Sequence, residues 1–396
     1  MRVIVVGGGV AGPATALAAQ GLGLEAVVLE RRPTADPEAG SWITVGPNGL
    51  DALDVLGELD AVRGFGVPSR VNRMFGAGGR LLGELSLGVP LADGTVALTM
   101  KRSALAVHLA GAAERAGAEV RRGAEVVRVH ERADEVVVEL ADGATVRGDV
   151  LVGADGVHSR VRSAVDPSAP DARYVGLTNF GGVTRAPDAD LVPEAWHFVF
   201  GRRAFSGAHP LPSGDVVWFV NVPRPPIGRA ERVSTSDETW QRWLAELVAG
   251  DAGPVAALVA GGVLELAGDN THDLPRVPVW SRGRLGLVGD AVHAPAPSSG
   301  QGAAMALEDA VVLGRALAAH GVDGLARFEA GRRRRVQKIV RNGARSSSAK
   351  IPGPVGRRVL EPVLWTVFHT VAGERSTAWV TGHRLPRDPA PAHPMR

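Results

Sequence analysis

An apolar run, Val3-Ile4-Val5-Val6, passes directly into Gly7-Gly8-Gly9-Val10-Ala11-Gly12 and then into an Ala-rich segment ending near Leu22. No other stretch restricts the fold as strongly. It reads as a buried strand, a glycine turn and a helix start, in the spacing G-x-G-x-x-G. Gly7 permits the tight turn, Gly9 lets backbone approach a pyrophosphate, and Gly12 allows close packing of helix on strand. A second apolar run, 26–29, ends at Glu30, where a carboxylate can accept hydrogen bonds from two ribose hydroxyls. A Gly-rich turn that binds nothing is the bland alternative. The fingerprint alone does not separate FAD from NAD.

The chain has 396 residues, enough for two or three packed units. Its 44 basic and 42 acidic residues nearly cancel, so no global field points to nucleic acid or a membrane surface. There is no cysteine, which removes disulfides, thiolate metal sites and cysteine nucleophiles and fits a reducing, cytoplasmic setting. No window is apolar enough to span a bilayer, and no histidine–carboxylate spacing suggests a metal site.

Along the chain, 48–59 and 102–116 carry apolar residues at helical spacing, and 70–87 reads as a hairpin. The runs 125–129, 135–140 and 145–147 read as paired strands around an Asp142-Gly143 turn. From 174 to 223 the pattern alternates and gathers Trp196, Phe198, Phe200, Phe205, Trp218 and Phe219, as an antiparallel sheet would. Helices are expected at 239–249, 254–260, 303–319, 328–342 and 355–371, followed by a tail from Pro386. The expected fold class is α/β: a Rossmann-like domain with an inserted, mostly antiparallel β-sheet domain and C-terminal helices. The domain boundaries follow as 1–69, 100–170 and 280–345 for the first, 70–99 and 171–279 for the second, and 346–396 for the last segment.

Two further motifs sit at ends of apolar runs. Val152 leads into Gly153-Ala154-Asp155-Gly156, with Ser159, Arg160 and Arg162 just beyond; a turn plus a helix cap explains it equally well. Leu287-Val288 leads into Gly289-Asp290 and, through Pro297, into Gly300-Gln301-Gly302 at a helix start. Asp290 can bind a chain of hydroxyls there, and the Gly300–Gly302 amides with the helix dipole can stabilise negative charge on a planar ring.

Taken in order, these three motifs resemble the single-component FAD-dependent aromatic hydroxylases, the relatives of p-hydroxybenzoate hydroxylase, salicylate hydroxylase and tetracycline oxygenase. The resemblance covers about residues 1–345. It implies FAD as cofactor, with Gly7, Gly9, Ala11 and Gly12 at the pyrophosphate and Glu30 and Arg31 near the adenosine ribose. It puts Arg102 at the phosphate and ribityl region, Gly289 and Asp290 at the ribityl chain, and Pro297, Gly300, Gln301 and Gly302 at the flavin ring. Asp155 belongs to a motif linked to both FAD and pyridine nucleotide. The resemblance also implies NADPH or NADH as reductant, O2 as co-substrate, and oxygen transfer through a flavin hydroperoxide to a small hydrophobic or aromatic substrate. In such an enzyme the flavin does the chemistry, and no acid or base is obligatory. His209, beside the aromatic sheet, is the one candidate for substrate deprotonation. The segment Ala39-Gly40-Ser41-Trp42-Ile43 lacks the arginine many relatives carry there.

Other readings are a reductase on the same scaffold or a non-catalytic flavin-binding partner protein; the halogenase Trp-x-Trp-x-Ile-Pro motif is absent. Arg332-Arg333-Arg334-Arg335 reads as a solvated helix face rather than a nucleic-acid patch. His293 reads as structural. The protein is expected to work as a monomer or homodimer.

Overall fold

The computed structural model describes residues 1–274, 276–295, 299–347, 362, 365–366 and 374–387. Arg2–Val6 lies inside a six-stranded sheet, parallel to Glu25–Glu30 on one side and Val150–Gly153 on the other. Glu119–Arg122 extends the first side and Leu285–Leu287 the second, again in parallel, and Ser281–Arg282 closes the edge antiparallel. Val3, Ile4, Val5, Leu151 and Val152 are fully buried, as continuous apolar runs require when helices cover both faces. Because the three runs are parallel neighbours, their glycine motifs emerge together at the carboxyl edge of one sheet. That edge is where open α/β sheets bind ligands.

Helices Ala11–Gly21 and Gly302–His320 pack face to face over this sheet. Gly314 makes the approach possible, since a Cβ there would sit 2.9 Å from the Cβ of Ala18. Arg102–Arg115 flanks Ala11–Gly21. The expected strand group forms as Val126–Glu131, Val136–Leu140 and Thr145–Gly148, a small antiparallel sheet.

A seven-stranded sheet makes the second layer, in the order Val263–Asp273, Arg173–Arg185, Asp215–Pro223, Phe205–Pro210, Ala195–Phe200, Val71–Gly76, Leu81–Ser86. All pairs are antiparallel except Val71–Gly76 with Ala195–Phe200. Helices Asp237–Val248 and Val255–Gly261 cover one face, where Phe180, Trp218, Trp240 and Leu244 form a separate core. Strand alternation sends Trp196, Phe198, Phe205, His209 and Phe219 to the other face.

Some of the architecture departs from the pattern reading. A three-stranded sheet of Trp42–Val45, Ala97–Lys101 and Val67–Ser69 joins the two layers, and Val263–Asp273 is a strand of 11 residues. Its pairing with Arg173–Arg185 shifts register repeatedly and Gly268 takes φ +72°, so the period-2 signal is broken. The helix expected over 48–59 divides into Pro47–Val55 and Leu59–Arg63, with Gly57 at φ +76° between them. The helix expected over 355–371 falls almost wholly outside the described residues, whereas Glu374–Thr381 is helical. No helix among the described residues is long and apolar enough to cross a membrane.

Candidate functional site

The three motif loops are packed on one another. Gly7 takes φ +114°, and a Cβ on it would lie 2.4 Å from the Ala154 carbonyl oxygen, so the first loop rests on the second. A Cβ on Gly12 would meet the Gly7 carbonyl oxygen at 1.8 Å. Gly289, at φ +58°, leaves only 2.9 Å between its missing Cβ and the Ala11 Cβ, so the third loop rests on the first. Ala11 therefore matters here for its small size. Gly9 differs: it is exposed, and a Cβ on it would meet nothing within 4 Å. Its surface is the open floor of a groove.

Glu30 stands at the rim. Its Oε2 accepts the Gly8 N–H at 2.6 Å and its Oε1 the Arg32 N–H at 2.8 Å. A carboxylate has about four lone-pair sites, so acceptor capacity remains for ribose hydroxyls. Arg31 is exposed beside it. Across the groove, Asp290 and Arg102 are both exposed, and neither side chain hydrogen-bonds to any described residue. Crowding by the surrounding protein pushes the Asp290 carboxyl above the usual carboxylate range, while His293 and Arg102 pull it back down. Gly302 lies within reach, its missing Cβ 3.8 Å from Asp290 Oδ1, and opens the helix Gly302–His320. Gly300 takes φ +60°, a left-handed turn two residues before the helix start. Gln301 turns its side chain inward, where Oε1 accepts from Asn48 Nδ2 at 3.1 Å. Pro297 lies outside the described residues.

Asp155 is occupied otherwise. Ser159 Oγ donates to its Oδ1 at 2.5 Å, and the Arg160 and Val161 N–H groups donate to its Oδ2 at 2.7 and 3.2 Å. It caps the helix Arg160–Val165, although burial raises its pKa against those bonds. Arg162, on the helix Arg160–Val165, is the connecting group. It is 4% exposed, and it donates to the Ala291 carbonyl at 3.1 Å and the Val157 carbonyl at 3.0 Å. The second motif thus braces the Asp290 turn.

Below the groove lies a buried charge layer. Arg332 is 3% exposed and donates to Glu308 Oε2 at 2.5 Å and Asp309 Oδ1 at 2.8 Å. Asp309 Oδ2 takes the Gly289 N–H at 3.1 Å and meets His293 Nε2 at 2.5 Å. Glu308 Oε1 accepts from Asn48 and Arg335 at 2.7 and 2.8 Å. Burial opposes ionisation of both carboxyls, but His293 and Arg332 hold Asp309 below its ordinary pKa, and Arg332 and Arg335 do the same for Glu308. The solvated-face reading of the arginine run is therefore wrong at Arg332. A signal for this exists in the sequence. Arg332 shares its helical phase with Phe328, Val336 and Ile339, all buried, and its partners Glu308-Asp309 interrupt an otherwise apolar helix.

The aromatic face of the large sheet adjoins the groove through Lys101, the residue before Arg102. Lys101 Nζ pairs with Glu265 at 2.7 Å, and Trp42 Nε1 donates to Glu265 at 3.3 Å. His209 is fully buried on that face, with Nε2 2.8 Å from Ser69 Oγ. Ser69, Thr99 and Thr44 continue the chain at 2.7 Å steps, and Trp196 Nε1 donates to Thr44 at 2.9 Å. Burial pushes His209 down to about 4, so it is a neutral, enclosed imidazole at physiological pH. Phe198, Phe219, Asn179 and Asn221 are half-buried beside it and leave an apolar wall with two carboxamides.

An exposed glycine floor, a rim carboxylate, and an unpaired Asp290–Arg102 couple before a helix N-terminus fit a pyrophosphate, a ribose and a polar planar ring. The comparisons agree. Residues 1–343 match the family model described as FAD binding domain. The FAD-dependent urate hydroxylase of Klebsiella pneumoniae is 33% identical over 353 residues, which span 86% of this chain and 88% of that one. The aurachin C monooxygenase/isomerase of Stigmatella aurantiaca is 30% identical over 349 residues, 86% and 87% of the two chains. The structure of Klebsiella pneumoniae HpxO complexed with FAD and uric acid has a TM-score of 0.81 at 27% identity, covering 96% of each chain. Such a groove, matched along most of its length, makes the chain a member of the FAD-binding-domain family of single-component flavoprotein hydroxylases, and hence an oxidoreductase.

Proposed function

We propose that this protein is a monooxygenase that uses NADPH or NADH and O2 to place one oxygen atom on a small hydrophobic or aromatic substrate. The observation that carries the reading is the juxtaposition of the groove with the aromatic sheet face, joined through Lys101-Arg102 and Glu265. FAD, when bound, supplies the two-electron and O2 chemistry. The chain's own residues bind, orient and exclude water.

Gly7, Gly9 and Gly12 would hold the pyrophosphate, Glu30 and Arg31 the adenosine ribose side, and Arg102 with Asp290 the ribityl and phosphate portion. The Gly300–Gly302 segment and the positive end of Gly302–His320 would stabilise negative charge on the reduced ring. Asp155 and Gln301 would act by holding these loops rather than by touching FAD. Phe198 and Phe219 would form the dry wall against which substrate lies. Residues 1–69, 100–170 and 280–345 would form the FAD-binding domain, and 70–99 with 171–279 the substrate domain. The lack of cysteine supports a reducing compartment.

Substrate-stimulated O2 uptake with NADPH or NADH tests the reading, together with product mass. A gain of one oxygen supports it. A gain of two hydrogens identifies a reductase instead, and absence of any coupled O2 uptake across hydroxylated aromatics and purines refutes it.

A further inference from the structure

The helix Gly324–Ser347 carries a second basic feature that the flavin groove does not use. A cavity of about 600 Å³ opens between this helix and Glu374–Thr381. Gly331, Arg334, Arg335, Lys338, Arg341 and Trp379 line it. Arg334, Lys338 and Arg341 recur at helical spacing and are exposed, so they form one cationic stripe. None of the three has a carboxylate partner among the described residues. Lys338 Nζ lies 3.9 Å from the centre of the Trp379 ring and covers one face of the indole, which also packs against the core and leaves only its edge toward the charges.

Arg335 has a different task. It donates to both carboxylate oxygens of Glu308 at 3.0 and 2.8 Å and to the carbonyls of Trp379 and Val380 at 3.0 and 2.8 Å. Glu308 also takes an N–H of Asn48, whose amide donates to Gln301 at the flavin seat. The cavity floor is thus one ion pair and one amide from the groove. Arg334 and Arg341, with no carboxylate beside them, and Lys338, held on the indole, place three cations in one concavity, where an entering anion relieves their repulsion. A phosphate group carries about two negative charges and three acceptor oxygens, and it matches such a cluster better than a single carboxylate does.

We propose that this cavity binds a nucleoside phosphate, its phosphates on Arg334 and Arg341 and its base at the edge formed by Lys338 and Trp379. The shared chemistry is an adenosine bearing phosphates, which comes either from the pyridine nucleotide or from a free adenine nucleotide. Occupancy would be sensed at Gln301 through Arg335, Glu308 and Asn48.

Calorimetric titration of the FAD-loaded full chain with NADP+, NAD+, ADP and inorganic phosphate, at low and high salt, tests this without turnover. It therefore reads the cavity whether or not the oxygenase reading holds. Binding of NADP+ or ADP should weaken with salt, and should fall at least about tenfold in Arg334→Gln/Arg341→Gln, with FAD content unchanged. NADP+ binding more tightly than ADP and NAD+ would identify the pyridine nucleotide as the source. ADP binding as tightly as NADP+ would identify a separate effector. The proposal is overturned if neither nucleotide binds, if the double variant keeps the parental affinity, or if inorganic phosphate binds as well as ADP.

Discussion

Replacing Arg332 with methionine is the sharpest test of how the groove is supported. The side chain is 4% exposed and its two carboxylate partners are fully buried. After the change, Glu308 keeps Arg335 and Asn48, and Asp309 keeps His293 and the Gly289 N–H. Asp309 Oδ1 loses its one hydrogen bond among the described residues and stays buried. Breaking a buried pair from one side costs about 3–5 kcal/mol. Because Arg335 still neutralises Glu308, the lower end applies, roughly 3 kcal/mol out of a typical 5–15. The pH dependence has a defined sign. Both carboxyls are held below their ordinary pKa, so the stability they contribute is present above the unfolded carboxylate range and is lost as pH falls through their folded values. Urea unfolding followed by circular dichroism should give a large gap between parent and Arg332→Met near pH 7. That gap should narrow steadily as pH drops below about 4. A gap under about 1 kcal/mol at neutral pH, or one that widens in acid, refutes the reasoning.

Four single substitutions give further tests. Gly12→Ala drives a Cβ into the Gly7 carbonyl, so it should lower both the melting temperature of the FAD-free protein and its FAD affinity; Gly9→Ala, whose Cβ meets nothing, should weaken FAD binding about tenfold or more and leave the melt unchanged. Asp290→Asn removes a carboxylate whose ionised form the surrounding protein disfavours and which has no hydrogen bond to a described residue, so FAD-free stability should rise at neutral pH while FAD titration shows weaker binding. His209, pushed down to about 4 and so below its unfolded value, destabilises the folded state as pH falls from about 6.5 to 4, by order of 3 kcal/mol. His209→Gln should flatten that part of the stability profile, and an unchanged profile in urea melts would count against the buried, neutral assignment.

Legibility in the sequence followed locality. The runs 3–6, 150–152 and 285–288 could be read as buried strands because apolarity on both faces is a local property. The glycines could be read because a Cβ cannot fit beside a neighbouring backbone only residues away, as at Gly12 against Gly7. The aromatic alternation of 195–219 likewise announced a sheet. Val263–Asp273 is hidden because Gly268 and repeated register shifts erase its period, and Trp42–Val45 because its partner strand, Ala97–Lys101, lies about 55 residues away. Asp155 could be read as ligand or as cap, and the structure shows both its oxygens engaged in the cap.

Local pattern is enough to establish three strand–turn–helix loops, and their order identifies the family. Steric limits of glycine and the hydrophobic period act within a few residues, so one dimension is enough to record them. Packing in three dimensions sets which loops touch, ties the second motif to the third through Arg162, and buries Arg332 as the counter-ion of Glu308 and Asp309. The loop contacts depend on parallel pairing of strands more than a hundred residues apart, and the Arg332 contact on the packing of Gly324–Ser347 against Gly302–His320. A charge run looks the same in sequence whether solvent or two carboxylates wait on the other side. At Arg332 the carboxylates were there, and at Arg334 and Arg341 the space was open.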